Sequence, residues 1–416
     1  MKVFKFGGAS VKDAEGIRNV LKILTEFKED QTLVIVSAMG KTTNAFENVL
    51  KLYFEKNSYE EKLNEIKNFH LKVAQDLHAE NHNIFTILQG YFEQIEDFLL
   101  KNKSPNYDYV YDQIISYGEL LSSHILSSYL STKNLKNEWI DIRDYIKTDS
   151  SYREANVEWE TTCDRLNKLN KNQLYITQGF IASNENYFTT TLGREGSDYS
   201  GAIIAYCLEA ESLTIWKDVP GVLNADPRFF THSSQLMHIS YEEAIELAYY
   251  GASVIHPKTL QPLMRKEIPL FVRSFEEPHL PGTQIKNGQV LDPHIPCYIV
   301  KNDQTVLTIS THDFAFINEE VLSKVFQKLS ENQIKVNLIQ VSAISLSLCV
   351  ENKFNTLELV IDNLKKVFKV NLHPNCSLYT IRHADSHSLD YIPNKENTLI
   401  KQSGTHTIQL VIKEEL

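Results

Sequence analysis

Residues 2–10, Lys2-Val3-Phe4-Lys5-Phe6-Gly7-Gly8-Ala9-Ser10, and residues 32–37, Thr32-Leu33-Val34-Ile35-Val36-Ser37, decide the fold class. The first is a short run of strand formers closed by two glycines. Between the two stretches Ile17, Val20, Leu21, Leu24 and Phe27 recur at helical steps, with Asp13 placed to cap the first turn. Residues 32–37 are mostly apolar without alternation, the pattern of a strand covered on both faces. Strand, helix and buried strand in this order predict a parallel sheet flanked by helices.

Working outward, residues 55–103 break the alternation. Leu63, Ile66, Phe69, Val73 and Leu77, then Ile84, Ile87, Leu88, Phe92, Ile95 and Leu99, repeat at steps of three and four. This predicts a helical hairpin inserted between strands. Further strands are expected at 137–141, 174–180, 212–216 and 270–273. Six Pro and Gly residues crowd positions 278–296, which sets a first domain at 1–285 and a linker at 286–300. Beyond it, strand, helix, strand, strand, helix over 305–367 is a ferredoxin-like order. A first such unit at about 301–370 is followed by a reduced or divergent one at about 371–416, with a hairpin near Ser403-Gly404.

Composition narrows the function classes. The 416 residues carry 42 Lys+Arg against 53 Asp+Glu, a formal charge of −11, with 42% hydrophobic and 23% charged residues. That describes a globular chain without the basic footprint of a nucleic-acid binder. No apolar run approaches the ~20 residues of a membrane helix, and the N-terminus lacks a signal-peptide core. Cys163, Cys207, Cys297, Cys349 and Cys376 are scattered in no ligand spacing, so reduced thiols and a cytoplasmic location are expected.

Four segments set Gly beside polar side chains at strand ends, where open α/β sheets bind ligands. In Lys5-Phe6-Gly7-Gly8-Ala9-Ser10, the glycines let amides approach an anion and Lys5 reaches a phosphate; a plain tight turn is the alternative. Ser37-Ala38-Met39-Gly40-Lys41-Thr42-Thr43-Asn44 is no Walker A loop, because Ile35 stands where that motif needs glycine. It is a hydroxyl-rich loop suited to a small polar substrate. Residues 189–198 hold three threonines, Gly193, Arg194, Glu195, Gly196, Ser197 and Asp198. Arg194 can fork onto a carboxylate and Asp198 can take an ammonium. Residues 216–228 place Lys217, Asp218, Asp226 and Arg228 around two turns. His78 and His82 stand four apart without the HExxH glutamate and are expected on the exposed side of a helix. Pro257, after His256, is read as ending a helix.

In this order the segments resemble the signature series of the aspartate kinases. They are the 5–10 loop, Ser116-Tyr117-Gly118-Glu119-Leu120, Ile176-Thr177-Gln178-Gly179-Phe180, the 189–198 loop, residues 216–228 and Gly251-Ala252-Ser253-Val254-Ile255-His256-Pro257. The tail after 300 is similar to their ACT regulatory region. The resemblance implies a three-layer α/β/α amino-acid-kinase sandwich with a mostly parallel sheet, plus ferredoxin-like ACT domains. It implies transfer of the γ-phosphoryl group of ATP to the side chain of L-aspartate with Mg²⁺, the first step towards lysine, threonine and methionine. Lys5 and Asp198 are the implied catalytic residues. Thr43, Glu119, Arg194, Ser197 and Asp198 would bind aspartate, with Arg194 on its α-carboxylate and Glu119 on its ammonium. Lys5, Gly7, Gly8, Ser10, Lys217, Asp218 and Arg228 would face the nucleotide; no protein metal ligand is implied.

Three residues depart from the family pattern: Ala9 for Thr, Glu195 for Gly and Ser253 for Lys, with Lys217 or Lys258 as substitute charges. Glu195 should weaken substrate binding unless it points outward. An amino-acid effector, lysine or threonine, at the ACT region and a homodimer are also implied. The matching effector positions read Asn337 and Ala343, where lysine-sensitive relatives carry acidic residues. Kinases of glutamate, N-acetylglutamate or nucleoside monophosphates share such a fold, but Glu119 and the Arg194 loop favour a free α-amino acid. An inactive amino-acid sensor is the remaining rival.

Overall fold

The computed structural model describes residues 1–27, 31–252, 254–313, 315–353 and 356–414; Ser253 lies outside them. The chain forms two compact units, Met1–Val222 with Gln235–Ile245 and Val254–Asp292, and Leu223–Ser234 with Glu246–Ser253 and Pro293–Leu416.

The first unit opens as β1 (Lys2–Phe6), α1 (Ala14–Phe27) and β2 (Thr32–Val36), with Asp13 Oδ1 accepting the Gly16 amide at 2.8 Å. Five helices follow before the next strand: α2 (Thr42–Phe54), α3 (Glu60–Leu77), α4 (Ile84–Lys101), α5 (Tyr107–Ile115) and α6 (Tyr117–Thr132). The inserted hairpin is therefore the middle of a longer helical excursion. Then come β3 (Glu138–Trp139), α7 (Trp159–Leu166), β4 (Tyr175–Gln178), β5 (Ile181–Ser183), β6 (Thr189–Thr191), α8 (Gly196–Leu208) and β7 (Ser212–Lys217). After β8 (His238–Ile239), α9 (Tyr241–Tyr250), α10 (Pro257–Arg265) and β9 (Leu270–Ser274), β10 (Thr283–Ile285) completes the sheet.

Eight strands run in the order β3-β4-β2-β1-β7-β9-β10-β8, all neighbours parallel except β9 and β10. Strand alternation assigns the faces. Phe4 and Phe6, with Val34 and Val36, join the core built on α1 to α6. Lys5 therefore points to the opposite face, the one that α8 covers.

Several expectations need correction. Cys163 on α7 and Cys207 on α8 form a disulfide with Cα atoms 4.6 Å apart, whereas Cys297, Cys349 and Cys376 keep buried thiols. A spacing of 44 residues carries no local signal of that pairing. We expect three titratable thiols, not five, in unfolded protein kept from reductant. Cys163→Ser should cost about 3–4 kcal/mol of stability in urea, the loop-closure value for such a span. Five titratable thiols would refute the bond. His78 and His82 are half-buried: His78 contacts the Ala74 carbonyl and Ser128 Oγ, and the two rings lie 4.5 Å apart. Pro257 opens α10 instead of ending a helix, with the Lys258 amide donating to His256 Nδ1 at 3.2 Å. Its missing N–H costs nothing at a first helical position.

In the second unit, β11 (Cys297–Ser310), α11 (Glu319–Glu331), β12 (Lys335–Val341), β13 (Ser345–Glu351), α12 (Leu357–Lys365) and β14 (Lys369–Arg382) precede β15 (Thr398–Ser403) and β16 (Thr407–Lys413). The 286–300 interval expected as linker thus already contains the start of β11. The antiparallel sheet runs β12-β13-β11-β14-β16-β15. Its first four strands carry α11 and α12 in ferredoxin order, over a core of Leu307, Val325, Leu348 and Val360. Residues 297–301 of β11 pair with 378–382 of β14 in the other half, where β15 and β16 add on. Two short 3₁₀ turns, Ser388–Tyr391 and Lys395–Asn397, stand there in place of long helices. The long strands change register between Lys301 and Val306, and Asp303 and Asn375 both take left-handed backbone.

Candidate active site

The C-terminal ends of β1 and β7 bring Lys5 and Lys217 to one carboxylate. Lys5 Nζ lies 2.6 Å from Asp198 Oδ1, and Lys217 Nζ lies 3.3 Å from Oδ2. Asp198 sits in the first turn of α8 and is buried. Burial alone would raise its carboxyl, but Lys5 and Lys217 hold it below the usual value, so it stays ionised. Lys217 also donates to the Val254 carbonyl. The result is a cation–anion–cation bridge at the mouth of parallel strands and at the N-terminus of a thirteen-residue helix.

Around it lies a cavity of about 340 Å³ lined by Lys5, Gly8, Ser37, Ala38, Gly40, Thr43, Glu119, Phe180, Gly193, Glu195, Gly196, Ser197, Asp198 and Lys217. Two glycines make this closeness possible. A Cβ on Gly8 would fall 2.7 Å from the Ala38 carbonyl oxygen, and the Gly40 amide donates to the Gly8 carbonyl at 3.0 Å. A Cβ on Gly179 would meet Ser197 Cβ at 2.7 Å, so β4 and the start of α8 touch only because glycine stands there.

Glu119, from the first turn of α6, is 3% exposed. Its Oε1 accepts the Ala38 amide at 3.3 Å, and its buried Oε2 has no partner. Burial pushes its carboxyl up to about 8, against the pull of the Ala38 amide and Lys5. Because the folded value exceeds the unfolded one, near 4.5, the folded chain favours the protonated form. Stability is then fullest below pH 4.5 and declines as pH rises through 8. Glu119→Gln should flatten this slope in urea titrations between pH 5 and 9 and be the more stable protein at pH 9. Identical slopes in the two proteins would remove Glu119 as the cause.

Of the residues expected in the site, Lys5, Gly8, Thr43, Glu119, Ser197, Asp198 and Lys217 line this cavity. Gly7 is adjacent: a Cβ added there would lie 3.5 Å from Lys5 Nζ. Ser10 is buried behind the loop with an unpartnered Oγ. Arg194 and Asp218 are exposed and do not line the cavity. Arg228 belongs to the second unit, where its guanidinium forks onto Asp226 at 2.5–3.0 Å. Lys258 does not face the cavity either: its Nζ donates to the Leu192 carbonyl at 3.2 Å and props the loop from behind. Glu195 points inward.

Two supports escaped the motif reading. Asp112, in α5, is buried and accepts the Arg153 amide (2.9 Å), the Thr191 amide (2.8 Å) and the Thr191 hydroxyl (2.8 Å). It pins the end of β6, the strand leading into the Gly193–Asp198 loop. An aspartate inside the apolar run Val110–Ile115 was the available signal. Arg143, paired with Asp141 at 2.6 Å, reaches Thr189 Oγ1 of the same strand.

A sequence model of the amino acid kinase family matches residues 1–274. The chain therefore belongs to that family, as its parallel sheet and strand-end lysines already suggest. Its similarity is to the aspartokinases. Lysine-sensitive aspartokinase 3 of Escherichia coli (strain K12) is 32% identical over 363 residues, covering 85% of this chain and 79% of that protein. Aspartokinase 1, chloroplastic, of Arabidopsis thaliana is 32% identical over 394 residues, 89% of this chain and 68% of that one. Crystal structures of E. coli aspartokinase III, one with aspartate and ADP and one with lysine and aspartate, superpose with a TM-score of 0.81. They are 27% identical to this chain and cover 99% of it and 96% of theirs. The chain is an aspartokinase-type member of the family.

Proposed function

We propose that this aspartate kinase divides its reaction between two ends of the cavity. The chain phosphorylates the side-chain carboxylate of L-aspartate at the expense of ATP. The acceptor is ionised at neutral pH, near ~3.9 in its free form, so no general base is needed. Phosphoryl transfer then depends on positioning and on compensating charge at the moving group. Lys5 and Lys217 supply that charge, and Asp198 fixes both ammonium groups. Gly8 and the first amides of α8 complete the anion cradle, with Gly7 and Ser10 shaping its loop. Thr43, Ser197 and Glu119 hold aspartate, Glu119 through the ammonium. Arg194 takes the α-carboxylate from the rim, and Asp218 serves the nucleotide. The bridge of Lys5, Asp198 and Lys217 beside Gly8 carries this reading.

Among the described residues no three His, Cys, Asp or Glu side chains converge as a metal site, and both oxygens of Asp198 already face lysines. Mg²⁺ would then enter chelated to ATP as part of the substrate.

Residues 1–285 would form the kinase domain and 301–416 the ACT-like regulatory region, with an amino-acid effector, lysine or threonine. Asn337 already serves Lys301 (3.0 Å) and Gln304 (2.8 Å), which favours an effector other than lysine. β12 is an edge strand whose Ile339 and Val341 are exposed, a surface suited to a second copy of the sheet and hence to a homodimer. No helix among the described residues is long and apolar enough to cross a membrane.

The test is ATP-dependent acyl phosphate formation trapped with hydroxylamine, comparing aspartate, glutamate and N-acetylglutamate with and without Mg²⁺. A Mg²⁺-dependent signal with aspartate alone is expected. Signal with another acid overturns the substrate, and none from folded, ligand-binding protein favours a sensor.

A further inference from the structure

Glu195 is the residue in the cavity whose presence the reaction does not explain. It caps α8 with φ +52°, a left-handed backbone that glycine enters freely and glutamate enters at a cost. Its side chain lines the substrate cavity, and its Oε2 is buried there without a hydrogen-bond partner. A strained backbone and an unsatisfied carboxylate oxygen on one residue, inside a site that must admit anions, are together expensive.

The rest of the cavity shows what would satisfy it. The two lysines are already engaged with Asp198. Glu119 lines the same cavity, is itself almost wholly buried, and also leaves its Oε2 without a partner. Two carboxyl groups thus present buried, unpartnered oxygens to one space of about 340 Å³, and a cation set between them would draw Glu119 into its ionised form. Such a pair calls for a cationic group with several N–H donors, and a primary ammonium has three. A neutral acyl amide brings one donor and no charge, and a desamino diacid brings neither.

We infer that Glu195 is a specificity-determining residue, which with Glu119 receives the α-ammonium of the amino-acid substrate and discriminates against dicarboxylates that lack it. This rests on the aspartate kinase reading of the cavity. It also turns the expected penalty of an inward Glu195 into a gain: the carboxylate that repels the substrate's anionic groups is answered by the substrate's own cation. An ion-assisted hydrogen bond of this kind separates cognate and non-cognate ligands by about ten- to a hundredfold.

The experiment compares wild type, Glu195→Gln and Glu195→Gly on L-aspartate and on succinate, which differ only in the ammonium. Coupled ADP release gives kcat/KM, and calorimetry gives binding of both acids. For Glu195→Gln, kcat/KM and affinity for aspartate should fall about ten- to a hundredfold, with succinate as good a ligand as in wild type or better. Glu195→Gly should lose the same discrimination yet melt at a higher temperature, because glycine relieves the positive φ. Equal losses on both acids, or an unchanged aspartate-to-succinate ratio, overturn the inference. If wild type turns over neither acid, the kinase reading fails, and the calorimetric ratio still decides the role of Glu195.

Discussion

Lys5→Ala is expected to lower kcat for aspartyl phosphate formation by about 10²–10³, the loss typical of removing one preorganised group from a developing charge. The effect should fall on kcat with little change in KM for aspartate, because Lys5 is held by Asp198 and acts on the charge that develops in the transfer. Folding should survive. Asp198 keeps Lys217 at 3.3 Å, so the buried carboxylate is not orphaned. Lys5→Arg should not rescue the activity. The side chain of Lys5 is only 9% exposed, and a planar guanidinium neither fits that space nor acts as a point charge. Hydroxamate formation and a circular-dichroism melt settle both halves. A variant keeping more than about a tenth of wild-type kcat would remove Lys5 from the chemistry.

Asp112→Ala is expected to cost about 2–4 kcal/mol, read as a fall in the urea midpoint. It leaves the Thr191 amide and hydroxyl as buried groups without their acceptor, and the Arg153 amide without its partner. Activity should fall further than stability alone predicts, because Thr191 stands two residues before Gly193 and the loop that carries Glu195 and Asp198. The pH dependence has a definite sign. Burial raises the Asp112 carboxyl to about 6, in spite of the amides and the Thr191 hydroxyl that favour its ionised form. Its contribution is then fullest below the unfolded value near 3.8 and is lost as pH rises through 6. Wild type should lose stability over that window more steeply than the alanine variant. Equal slopes would remove Asp112 from this effect.

The sheet was legible because periodicity and burial agree in it. Residues 32–36 are buried along their whole length, as an unbroken apolar run requires, and Lys5 interrupts β1 on the face opposite Phe4 and Phe6. The site was legible where a motif fixes both residue and backbone, as at Lys5-Phe6-Gly7-Gly8 and at Ser197-Asp198. It was not legible where long-range packing decides. Nothing local tells that Asp112 reaches Thr191 across 79 residues, that Cys163 meets Cys207, or that Lys258 turns back to Leu192. Arg194 shows the reverse case: a residue type well suited to a carboxylate, set by its loop on the exposed side of the cavity rim. The inward turn of Glu195 needed backbone geometry that one sequence does not express.

The second unit's shared strands carry a consequence for how it assembles. Its outer half is made of residues 297–301 and 376–413, so the two ends of that half are separated by the whole inner half. Left open, that intervening chain would impose the closure entropy of a loop some seventy-odd residues long before Lys301 could meet Leu378. The inner half removes this cost by folding on contacts much nearer in sequence, such as the β12–β13 hairpin, and thereby delivers the two ends side by side. The expected order is therefore that the nested half condenses first and the enclosing half zips onto it. A destabilising change in the β12–β13 hairpin should therefore slow the folding of strands it never touches.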